Sequence, residues 1–307
     1  MRLLPVFITI AIISCHSHPP QEKPSEELLH NYSRQSDRTD PGDFASMYDG
    51  LPHSYDSLNR IIKCLLIHPL EARQQNMKME ELSYDGIAVN TEKLLELMVN
   101  QGHTELDCPV DAGNRLVLAC FHHAMLLTSI LRNQGIPVRM RAGFSRFYEK
   151  EYGIRFGHII CEVWDADKEK WILVDPDRGI VNMSENDFDY AYQAWDNIRK
   201  NKKQPGIYTS SISAGVKGII NLMILDASLI LKEERVYWDL PGIVLQEIKQ
   251  LEDLDTDMLS TLEQLSHFCS TPDVSFEELS EVYYGTKGFE PSGLDYESYF
   301  QMLMDTR

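Results

Sequence analysis

Cys120, His158 and Asp175 stand in the chain in the order nucleophile, base, orienter. Cys120 lies in the apolar stretch Arg115-Leu-Val-Leu-Ala-Cys120-Phe-His-His-Ala124. His158 opens the run Gly157-His158-Ile-Ile-Cys-Glu162-Val-Trp164, and Asp175 ends the run Trp171-Ile-Leu-Val-Asp175-Pro176. A thiolate is a strong nucleophile, and an imidazole held by a carboxylate can take its proton and later return one to a leaving group. The thiolate is favoured near a helix N-terminus, where backbone N–H dipoles stabilise negative charge. Singly, none of these residues is informative, since a cysteine in an apolar helix is ordinarily a small core residue. Their order and setting carry the reading.

The elements that must position them follow from periodicity. Apolar residues at 124, 127, 130 and 131 predict a helix from Cys120 to Asn133, stopped by Gly135 with Pro137 two residues on. Leu118-Ala119 precedes the cysteine, so a start further upstream, capped by Asn114, is the alternative. Val138 to Phe144 alternates and reads as a half-exposed strand, with Arg139 and Arg141 on a solvated or ion-paired face. His158–Trp164 and Trp171–Val174 read as two strands joined by the polar turn 165–170, a hairpin. Side chains alternate faces along a strand. Pairing Trp164 with Trp171 therefore puts His158 and Asp175 on one face, diagonal to each other, roughly 7–8 Å apart at Cα. A slip of one residue separates them. Cys161 falls on the other face and reads as core. Helices are also expected near Leu58, over Thr91–Asn100, and after Pro176 over Asp187–Lys200, Ile219–Glu234 and Leu251–His267.

These stretches resemble the transglutaminase-like superfamily. The resemblance rests on Cys120-x-x-x-Ala124, Leu131-Arg132-Asn-Gln-Gly135-Ile-Pro137-Val-Arg139, His158-x-x-x-Glu162 and Trp171-x-x-Val174-Asp175. It implies an α+β, papain-like fold, with a helical half bearing Cys120 packed on an antiparallel sheet bearing His158 and Asp175. It further implies Cys120 as nucleophile, His158 as base and Asp175 as orienter. A narrower similarity, to bacterial transglutaminase-domain proteins of undefined substrate, extends through Ala194-Trp195-Asp-Asn-Ile-Arg199 and from Asp226 to Trp238-Asp239. The chain departs from the family in Leu118, where glycine is usual, and in Ile159, where an aromatic residue often follows the histidine. An oxyanion donor is required as well; Gln101 and Asn114 are candidates by chemistry and position.

Composition bounds the rest. The chain has 307 residues and a formal net charge of −18, of which −11 falls in residues 241–307. So acidic a chain argues against nucleic-acid binding, which needs Lys and Arg against phosphates. Met1-Arg2 followed by the largely apolar 12-residue run Leu3–Ser14, which ends Ile12-Ile13-Ser14-Cys15, reads as a signal segment. It resembles a bacterial lipobox, with Cys15 lipidated and the protein tethered to the cell envelope. The expected organisation is 1–14 signal peptide, 15–45 flexible tether, 46–205 catalytic core and 206–307 helical extension. Removing Cys15 leaves five cysteines, so at least one thiol, expected to be Cys120, is unpaired. No metal or other cofactor is expected. The cysteines form no C-x-x-C pair, and adjacent His122 and His123 diverge by about 100° on a helix. The acidic run Glu252–Asp257 lacks the glycine turn of a calcium loop. The function expected is that of a cysteine hydrolase or acyl transferase acting on an amide or ester carbonyl of a peptide or protein, cell-wall peptides included. The alternative is an inactive, lipid-anchored binding module on the same fold.

Overall fold

The computed structural model describes residues 23–75, 84–108 and 115–305. Cys15, the signal segment and Asn114 lie outside them. In chain order the helices are α1 (Glu26–Tyr32), α2 (Tyr55–Leu65), α3 (Pro69–Gln74), α4 (Thr91–Asn100), α5 (Cys120–Asn133), α6 (Glu149–Tyr152), α7 (Ala191–Arg199), α8 (Gly215–Ile230), α9 (Thr256–Ser270), α10 (Phe276–Gly285) and α11 (Tyr296–Asp305). The strands are β1 (Leu66–Ile67), β2 (Leu116–Val117), β3 (Val138–Ser145), β4 (Arg155–Asp165), β5 (Lys170–Asp175), β6 (Ile180–Val181), β7 (Phe188–Tyr190) and β8 (Tyr208–Thr209). The class is α+β.

The sheet is built on β4. It runs β6-β5-β4-β3-β7, antiparallel throughout, and β8 adds in parallel to β4. Trp164 pairs with Trp171, the register required to put His158 and Asp175 on one face. On the edge away from β3, β5 covers residues 161–165 of β4 and β8 covers 155–156. Among the described residues, 157–160 have no strand partner on that edge, and His158 sits in this gap.

Helix α5 packs along β4 and β3, and α8 packs across β3. The start of α5 is as the periodicity predicts: Leu116-Val117 is strand and Ala119 is the N-cap residue, so the upstream start capped by Asn114 is not taken. Its end is set by Gly135, whose φ of +74° lets Ile136 N–H return to Leu131 O at 2.9 Å. A disulfide joins Cys64 to Cys108; Cys120, Cys161 and Cys269 are free.

Three expectations need correction. Residues 25–45 are not a tether: Ser25 caps α1, and Leu28 and Tyr32 are buried, with Tyr32 OH donating to Ile230 O. Composition hid this because two apolar side chains carry the docking. Nor is there a seam at 205, since one apolar core runs from Met47 through α8 to Tyr299. Finally, β3 is not half-exposed. Arg139 and Arg141 are buried and paired with Glu162, which Arg139 faces directly in the register, and Arg141 also clamps Asp226 of α8.

Removing one partner of such a buried group strands the others. Glu162→Ala leaves two guanidinium groups short of a counter-charge, and a loss of about 3–5 kcal/mol is expected. Urea unfolding followed by circular dichroism measures it; a loss below about 1 kcal/mol contradicts the account.

Candidate active site

Cys120 is the first residue of α5, and no side chain caps that helix. His158 is buried in the gap beside β4, and its Nε2 hydrogen-bonds Asp175 Oδ2 at 2.8 Å. The other oxygen, Oδ1, accepts from Arg178 N–H at 3.0 Å, so the carboxylate is held from both sides. With Nε2 on the carboxylate, Nδ1 is the nitrogen left for the sulfur. The thiol interacts with the His158 side chain and also with His68.

The electrostatics follow from these contacts. Burial opposes a thiolate at Cys120, but the charge and hydrogen bond of His158, and then those of His68, outweigh it and lower the thiol to about 6. Burial likewise opposes a charged His158. Asp175 and the Cys120 thiolate outweigh it and raise the ring well above its ordinary value. The pair is thus poised as thiolate and imidazolium around neutrality.

His68 escaped the sequence reading. It is the N-cap of α3, and its Nδ1 accepts Leu70 N–H at 3.2 Å. A neutral ring so held carries its proton on Nε2. The available signal was His68-Pro69, a capping residue before proline at a helix start, which reads as local structure and nothing more.

Asp85 was missed too. It lies 34 positions from Ala119, whose N–H donates to Oδ1 at 2.9 Å. Oδ2 accepts from Tyr237 OH at 3.0 Å and Tyr296 OH at 3.1 Å. His122 Nδ1 stands 3.1 Å from Oδ1, so His122 belongs to this cluster. His123 turns elsewhere, its Nδ1 3.1 Å from Ala119 O and its Nε2 3.8 Å from Asp177 Oδ1. Asp177 is buried, and its Oδ2 has no hydrogen-bond partner among the described residues. His158, Asp175 and Asp177 bring donor atoms within 4.8 Å of one another, a spacing open to a cation, although the His158–Asp175 hydrogen bond engages two of the three.

Cys120, His158, His68 and Asp177 open into one cavity of about 340 Å³. Gln101, a candidate oxyanion donor by position, caps the C-terminus of α4 and does not line it. Cys161 is on the other strand face: its sulfur meets Ala124 O and Thr128 Oγ1 on α5, and burial pushes the thiol up to about 12.

A family model of the transglutaminase-like superfamily matches residues 117–176. That segment spans Cys120, His158 and Asp175, and the α+β architecture around it, helices on an antiparallel sheet, is consistent with a transglutaminase-like core. No curated protein and no solved structure matches the chain. In this transglutaminase-like segment the unusual Leu118 is buried core, and its N–H bonds Ile67 O, which fixes the approach to Cys120 without a glycine.

Iodoacetamide alkylation reads the thiolate directly. Its rate rises as the thiol deprotonates, so a lowered pKa moves the rise down in pH. Half-maximal labelling of Cys120 is expected near pH 6, with Cys161 and Cys269 unlabelled in the folded protein. His158→Ala should move the midpoint upward. A midpoint above pH 8 in the parent protein contradicts the electrostatic account.

Proposed function

We propose that the chain is a membrane-tethered, transglutaminase-like cysteine enzyme that acts on an amide or ester carbonyl through a Cys120 thioester. The observation that carries this reading is one histidine, His158, hydrogen-bonded to a buried carboxylate while contacting a thiol of lowered pKa at a helix start. In the proposed reaction the Cys120 thiolate attacks the carbonyl carbon. The oxyanion forms beside the uncapped first turn of α5, with His68 Nε2–H on the same cavity wall. Collapse breaks the bond to the amine or alcohol, which leaves with the proton from His158. Water or an amine, deprotonated by His158, then attacks the thioester and frees Cys120. Water gives a hydrolase and an amine gives a transferase.

The setting is part of the proposal. The lipobox-like segment supports lipidation at Cys15, and the Cys64–Cys108 disulfide supports an oxidising compartment outside the cytosol. No described helix is long and apolar enough to cross a membrane. Two or more acyl chains suffice for stable anchoring. Cys15→Ala should move the protein from the detergent phase to the aqueous phase. Equal partitioning of the two forms refutes the anchor.

Residues acting as a unit lose function together. Cys120→Ala should abolish acyl-adduct formation with an activated ester, and His158→Ala should slow it nearly as much. The double variant should lose little beyond either single one. Asp175→Asn should fold and yet turn over slowly, since the ring loses its orientation; in a well-studied serine triad such a change costs about 10⁴. Mass spectrometry locates the adduct. An adduct that persists in Cys120→Ala and vanishes in Cys161→Ala overturns the assignment. Ligand binding with no adduct on any cysteine favours a binding module instead.

A further inference from the structure

The cavity beside Cys120 differs sharply along its walls. At the reacting end stand Cys120, His158, His68 and Asp177. The remaining wall is largely apolar and aromatic. Leu222 and Leu225 come from α8, Phe156 from β4, and Tyr296, Phe300 and Leu303 from the C-terminal helix α11. The charged groups on that wall are already engaged or face solvent. Asp85 is filled by Ala119, Tyr237 and Tyr296, Arg178 lies over the Phe147 and Tyr148 rings, and Arg73 is exposed.

Helix α11 is held in this position by specific contacts. Tyr296 donates to Asp85 and packs edge-on against Trp238 at 5.2 Å, while Tyr299 packs edge-on against Tyr237 at 5.5 Å. Gly86 makes room for it, since a Cβ there would stand 2.8 Å from Tyr296 Cβ. The carboxylate that holds the backbone before Cys120 therefore also holds the cavity wall.

We infer that the substrate carries a bulky, uncharged apolar group on the acyl side of its reacting carbonyl, and that α11 is the wall that receives this group. The inference rests on the thioester reading of Cys120 and adds the substrate class to it. A volume of about 340 Å³ is at the small end for ligand pockets and takes a group of aromatic or medium alkyl size. Transfer of each methylene from water to such a wall favours binding about three- to fourfold. Charged acyl groups lose hydration against the apolar wall and are disfavoured.

The test uses the full chain with p-nitrophenyl esters from acetate to decanoate, and a succinyl ester as the charged control. The rate of Cys120 acylation at limiting ester should climb about three- to fourfold per methylene and level off once the cavity is full. The succinyl ester should react more slowly than the neutral ester of similar length. Leu303→Trp should bring the plateau to shorter chains, and a parent-like pH midpoint of iodoacetamide labelling at Cys120 shows that the variant is folded. A rate independent of chain length, with the acetate ester still acylating Cys120, overturns the inference and leaves the thioester reading standing. The same holds if Leu303→Trp, labelled normally, keeps the parent profile. Failure of every ester to acylate Cys120 removes the thioester reading and this inference together.

Discussion

One buried carboxylate, Asp85, organises the candidate site. It accepts the N–H of Ala119, the residue before Cys120, and takes hydroxyls from Tyr237 and Tyr296, which lie far along the chain. A carboxylate buried this deeply is costly unless its charge and lone pairs are met. Burial pushes Asp85 toward protonation, but His122 beside it, with the Ala119 and Tyr237 hydrogen bonds, outweighs this and lowers it to about 2. It therefore stays ionised across the range in which Cys120 titrates. The scaffold and the nucleophile respond to different parts of the pH scale, so the thiol can change charge without loosening the turn that presents it.

A second buried network sets the register of β3 against β4, the strand that carries His158. Arg141 donates through Nε and Nη2 to Asp226 and through Nη1 to Glu162, while Asp226 also accepts Ala142 N–H. Buried ion pairs of this kind are weak evidence for stability, because apolar replacements can serve as well. Their effect here is on alternatives. Arg139 faces Glu162 across β3 and β4, so a one-residue slip would bury both charges apart. The penalty on the slipped register holds β4 against β3, while the diagonal that joins His158 to Asp175 is set on the other edge by the Trp164–Trp171 pairing.

What was legible in the sequence was local. The Cys120–Asn133 helix and the Trp164–Trp171 pairing follow from periods of 3.6 and 2, and both are found where those periods place them. The His158–Asp175 contact was legible because a hairpin ties the two residues over 17 positions. Long-range polar contacts were not legible. Nothing in the chemistry of Asp85 or His68 distinguishes them until the fold brings them to residues 34 and 52 positions away. The tether was misread for a related reason. Composition judged residues 15–45 by their polar majority, whereas in the described part Leu28, Tyr32 and Thr39 are buried, and Thr39 accepts a hydrogen bond from Arg132. The two arginines of β3 were read as a solvated or ion-paired face; the ion pairs are found, but alternation shows which residues share a side and is silent on what covers it, so their burial was not legible.

The three free thiols show how far environment outweighs residue type. Cys120, Cys161 and Cys269 all sit in apolar surroundings, and burial raises the pKa of each. At Cys161 the neighbours are Thr128 Oγ1 and Ala124 O, neutral groups that cannot stabilise a thiolate enough to offset burial. At Cys269 the strongest nearby charge is Asp226, which opposes a thiolate further, and Arg141 is occupied with that same carboxylate. Of the three, only Cys120 has imidazoles interacting with its sulfur, and only Cys120 opens a helix, one without a side-chain cap. Those two features come from elements distant in sequence, α3 and the edge gap of β4, converging on one helix start. Reactivity at this position is therefore a property of the tertiary fold, and moving the cysteine one turn along α5 would convert it into another core sulfur.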